Sequence, residues 1–82
     1  MRNKTVYQYL NVEVFADRIV KAMEARDTTN EQLAFDADCC KDSISNYRTG
    51  KSAPTFDQLV NLADCLDVSI DYLLGRKEDM QI

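Results

Sequence analysis

The chain has no histidine or tryptophan, one proline and two glycines. Without histidine it lacks the side chain that most often shuttles protons near neutral pH and most often binds metals. Its three cysteines, Cys39, Cys40 and Cys65, form no C-x-x-C pair, so zinc-site spacing is absent. The carboxylates have no base, nucleophile or glycine-rich phosphate loop to work with, which argues against an enzyme and against any cofactor or metal. No twenty-residue apolar run occurs, and none follows the basic start, so neither a membrane span nor a signal peptide is expected. A cytoplasmic location follows as an expectation, with the cysteines as reduced, small and mostly buried side chains. A redox switch at Cys39 or Cys40 is the other reading, and it requires a lowered thiol pKa.

Scarce glycine and proline with 45% apolar residues suit a compact helical domain. Eighty-two residues give room for one small domain and no separate effector domain, so the chain is expected to act through one surface or by pairing.

The organising stretch is Thr29 to Gly50, TNEQLAFDADCCKDSISNYRTG. Thr29 and Gln32 have capping-box spacing and predict a helix start. Leu33, Ala34 and Ala37 follow on one stripe, small enough at the alanines for a second helix to approach closely. The stripe stops at Asp38, a residue type that tolerates the left-handed backbone of a sharp turn. A second run begins near Cys40, a poor N-cap, with Ile44 and Tyr47 inward and Gly50 as its end. Two short helices about a tight turn make a helix-turn-helix.

In this stretch and beyond it, the chain resembles the phage-repressor and Xre-type regulators with a lambda-repressor-like DNA-binding domain. The matching residues include Phe15, Ile19 and Arg26, then Thr29, Glu31, Leu33 and Ala34, then the spacing S-I-S-x-Y-x-x-G-K-x-x-P over 43–54 and V-S-I-D-Y-L-L-G over 68–75. They cover roughly residues 15–75. Asn30, Asp38 and Cys40 depart from the Gln, Gly and Ser or Thr common in the family. The resemblance implies an all-α, compact five-helix domain over 12–75, preceded by an arm at 1–11 and followed by a polar tail at 76–82.

Periodicity and caps predict helices near 13–26, 30–37, 41–49, 56–66 and 70–74. Asn11 is the expected cap of the first, and Thr55 with Gln58 forms a second capping box. Ser69 caps the last helix, and Asp67 takes the turn before it. The expected core holds Phe15, Ile19, Leu33, Ile44, Leu59, Leu62 and Leu73, with Val14, Ala22, Met23, Phe56, Ala63, Leu66, Ile70 and Leu74 also inward. For residues 1–11 two readings stand: a basic arm in which Arg2 and Lys4 meet phosphate, or a tail that frays or packs in a dimer through Tyr7 and Tyr9.

At about 100° per residue, Asp42, Ser45, Asn46 and Thr49 of the 41–49 helix face away from Ile44 and Tyr47, with Lys41, Ser43 and Arg48 on the flanks. Any solvated helix shows such a face. The resemblance implies more: that its N-terminal part enters the major groove, where Lys41, Asp42 and Asn46 meet bases, and Ser45 on the same face can donate or accept there. Asp42 has two open roles, accepting from a cytosine amino group or complementing the helix N-terminus. Phosphate contacts are expected from Thr29, Asn30, Ser43, Arg48, Lys51, Ser52 and Arg18.

A net charge of −4 is unusual for a DNA binder. Its distribution softens the objection, because residues 54–82 carry six acids against two bases while 1–53 are balanced. The leading expectation is therefore a sequence-specific transcriptional regulator, a repressor of phage or mobile-element type, binding double-stranded DNA as a homodimer. The rival is a protein-interaction module on the same fold, antitoxin- or antirepressor-like, with a protein regulator as its partner.

Overall fold

A computed structural model describes residues 11–81. The arm expected at 1–11 therefore lies, apart from Asn11, outside the described residues. Five helices follow in order: α1 Val12–Arg26, α2 Asn30–Asp36, α3 Lys41–Thr49, α4 Phe56–Leu66 and α5 Ile70–Leu73, and no strand occurs among the described residues.

The helix starts are where the cap residues place them. Asn11 Oδ1 accepts from the Glu13 and Val14 amides, Thr29 Oγ1 from Gln32, Thr55 Oγ1 from Gln58, and Ser69 Oγ from Tyr72. The two capping boxes are one-sided, however. Gln32 Nε2 donates to Asp36 Oδ1 at 3.0 Å instead of reaching back, and the buried Gln58 Nε2 has no partner among the described residues. A side chain at the third helical position points freely along the helix surface, and here a partner one turn ahead wins for Gln32. Cys40, as its chemistry implies, makes no side-chain cap to α3.

Scarce glycine leaves a mark on the turns. Left-handed backbone occurs at Asp27, Asp38 and Asp67 as well as at Gly50 and Gly75. Aspartate carries the turn after α1, inside the helix-turn-helix and after α4, at a steric cost glycine would avoid.

The core draws on every helix: Phe15 and Ile19 from α1, Leu33 from α2, Ile44 and Tyr47 from α3, Leu59, Leu62 and Leu66 from α4, Tyr72 and Leu73 from α5. Burying each large aliphatic contributes about 1.5–3 kcal/mol. Phe15 meets Tyr47 edge-on, ring centroids 5.9 Å apart, so α1 seats α3 directly. Ala34 and Ala37 are buried where α2 crosses α3, and Asn61 Nδ2 donates to the Ala37 carbonyl at 2.7 Å, tying α4 to the turn.

Two expectations change. Phe56 is 74% exposed rather than inward. It is the first residue of α4 and lies at the edge of the stripe, so its side chain points past the helix end with no earlier turn to cover it. Phe35 is likewise exposed, opposite the buried side of α2. Residues 76–81, read as a tail, instead fold back: the Ser69 amide donates to the Met80 carbonyl at 2.8 Å, and Met80 packs against the core. No helix of the described residues is long and apolar enough to cross a membrane.

Candidate nucleic-acid interface

Inside the helix-turn-helix, Asp38 reverses the chain while the Cys39 amide donates to the Ala34 carbonyl at 2.9 Å, closing the turn. Ile44 and Tyr47 anchor α3 in the core, and the rest of its surface follows from that register. Lys41, Asp42, Ser45 and Thr49 are exposed; Ser43, Asn46 and Arg48 are half-buried. Gly50 ends the helix in left-handed geometry, and the Lys51 amide caps it by donating to the Asn46 carbonyl at 2.9 Å. Lys51 and Ser52 then stand exposed on the loop.

The first turn of α2 lies beside this face. Lys41 Nζ is 3.6 Å from Glu31 Oε2, and Arg48 Nη1 donates to Asn30 Oδ1 at 2.6 Å. Thr29 Oγ1 is engaged as the α2 cap. Thr49 Oγ1 turns back onto its own helix, donating to the Ser45 and Asn46 carbonyls.

A helix-turn-helix family model matches residues 19–73, two thirds of the chain, and spans this corner with its supporting helices. The chain belongs to the Xre-type, lambda-repressor-like helix-turn-helix family. Among its relatives is an uncharacterized HTH-type transcriptional regulator of Bacillus subtilis, YobD, 36% identical over 80% of this chain and 59% of that one. Another is the cryptic phage CTXphi transcriptional repressor RstR of Vibrio cholerae, 35% identical over 73% of this chain and 54% of that one. The B. subtilis HTH-type transcriptional regulator AnsR is 34% identical over 71% of this chain and 53% of that one. The chain thus spans little more than half the length of these relatives. No solved structure matches at a significant level.

Within this helix-turn-helix frame, the residues expected to meet nucleic acid do not all come together. Asn30, Lys41, Arg48 and Lys51 gather around α3. Arg18 does not. It lies on α1, its side chain 13% exposed, where Nη1 donates to the Tyr72 and Lys77 carbonyls at 3.1 and 2.7 Å and Nη2 is 3.6 Å from Glu78. Its guanidinium also stacks 4.5 Å from the centre of the Tyr72 ring. The side chain is held at four points by the C-terminal half, apart from the residues around α3.

Glu31 is the feature that sequence reasoning missed, since only the fold brings it to Lys41. The thiols sort by burial. Desolvation pushes Cys39 and Cys65 above the ordinary thiol pKa, the opposite of what a reactive thiolate at Cys39 requires, whereas Cys40 is exposed, not buried as expected. Burial also raises the Tyr47 phenol, in keeping with a packing role.

Proposed function

We propose that this chain is a sequence-specific DNA-binding transcriptional regulator, not an enzyme, that reads the major groove with α3 as a cytoplasmic homodimer on a two-fold operator. The observation that carries this is the helix-turn-helix itself: α3 anchored by Ile44 and Tyr47 with its polar face in solvent. Asn46 pairs with adenine, Ser45 and Lys41 reach neighbouring base edges, and Asp42 either accepts from cytosine or complements the helix start. Ser43, Lys51, Ser52, Thr29 and Asn30 meet the backbone, with Arg48 bonded to Asn30 behind them. The name of the CTXphi repressor supports a repressor of phage type.

Selection of bound sequences from random duplexes, at two salt concentrations, tests the reading. A two-fold consensus with strong salt dependence is expected. Recovery of unenriched sequence at both salts would refute it and favour a protein-binding module. The acidic balance and Phe35, 81% exposed on α2, support that second reading.

A further inference from the structure

We propose that Arg48 acts on DNA through Asn30, as a positioning residue that aims the Asn30 amide at a backbone phosphate; this rests on the DNA-binding reading. Arg48 stands in the last turn of α3 and Asn30 is the first residue of α2. The bond between them is short, 2.6 Å, and partly buried. A guanidinium carries only donors, so the Asn30 side chain must turn its carbonyl oxygen toward it. The reversed amide would set donor against donor and lose a charge-assisted hydrogen bond.

The Asn30 NH2 group is thereby fixed facing away from Arg48, and no hydrogen bond among the described residues uses it. Two oriented N–H donors with no hydrogen-bond partner among the described residues match a ligand that only accepts. A phosphodiester oxygen is such a ligand. The bond to a cation also polarises the amide and strengthens its free donors. Lys41, held by Glu31, has no comparable neutral partner. The same link ties α2 to α3 at the edge of their packed crossing, so one side chain braces the corner and directs its phosphate donor.

The test is a double-mutant cycle on the selected duplex with Arg48→Met, Asn30→Ala and the pair, each measured across a salt series. Each single change is expected to weaken binding about three- to tenfold, the pair no more than either alone, and Arg48→Met to leave the salt slope unchanged. Asn30→Asp, which keeps an acceptor for Arg48 but removes the donors, should bind at least as weakly as Asn30→Ala. Arg48→Lys, also donor-only, should keep binding to within about twofold, and Arg48→Ala serves the cycle if the methionine variant does not fold. Additive losses with a slope lowered by about 0.9 would mean that Arg48 meets phosphate itself and would overturn the proposal. Full binding by Asn30→Asp or by a folded Arg48→Met would overturn it too. A wild-type protein that binds no duplex at low salt would refute the DNA-binding reading itself, a distinct failure.

Discussion

Two arginines each join elements far apart in sequence, and what surrounds them differs. Arg18 lies between α1 and the C-terminal segment, its guanidinium shared among two carbonyls, the Glu78 carboxylate and the Tyr72 ring. Arg48 lies between α3 and α2, where its one hydrogen-bond partner among the described residues is neutral, the Asn30 amide. The first is largely enclosed by the groups it bonds, an arrangement that holds the fold. The second fixes a group that is still able to bond outward. In a chain of net charge −4, therefore, counting cations says little about which side chains are open to a ligand; the partners of each cation say more.

The largest effect should come from the enclosed side. Arg18→Met leaves the Tyr72 and Lys77 carbonyls without their charged donor, and a lost charged hydrogen bond costs about 1.5–3 kcal/mol. Denaturant unfolding should show that loss, and limited proteolysis should cut within 76–81, while DNA affinity below the transition stays that of the wild type. Weakened DNA binding by a folded Arg18→Met would erase the contrast between the two arginines.

Gly75→Ala perturbs the same side differently. The new Cβ would lie 2.5 Å from Val14 Cγ1, on a backbone at φ +81°. Strain of this kind costs about 1–3 kcal/mol, to be read as a lower melting temperature. An unchanged melting temperature would show that α1 and the segment after α5 yield easily there.

On the open side the expected effects fall on binding, not folding. Glu31→Gln frees Lys41 from an exposed ion pair worth about 0.2–1 kcal/mol, so affinity should rise by a few fold and the salt slope steepen, with stability nearly unchanged. Weaker binding would mean that Glu31 itself positions Lys41 for DNA. Smaller still is the difference among the thiols. Cys40 should react with a disulfide reagent before Cys39 and Cys65, whose burial raises their pKa, and equal rates would show that the turn opens readily.

The contrast also marks what was legible in the sequence. Helix starts were, because Asn11, Thr29, Thr55 and Ser69 act on amides two or three residues away, and the outward set on α3 follows from helical period once Ile44 and Tyr47 are inward. The turns at Asp38 and Asp67 were legible for the same local reason. The setting of Arg18 was not legible because its partners are carbonyls 54 and 59 residues away, which no local pattern announces. The folded-back segment at 76–81 escaped notice likewise: a polar composition does not reveal that Met80 reaches the core or that its carbonyl accepts from Ser69. Phe56 misled because it continues the apolar stripe of α4, although it stands at the helix start that the Thr55 cap marks, where no earlier turn covers it. The bond between Arg48 and Asn30, and the ion pair between Lys41 and Glu31, required the angle between α2 and α3.

The central claim, that the outer face of α3 reads bases while its flanks meet the backbone, is tested most directly by comparing Asn46→Ala with Lys51→Ala on the selected duplex and its single-base variants. Asn46→Ala should relax preference at one position, by about 1–3 kcal/mol, with the salt slope kept. Lys51→Ala should weaken all sequences alike and lower the slope by about 0.9. Equal, sequence-independent losses in two folded variants would contradict the account and remove Asn46 from the reading face.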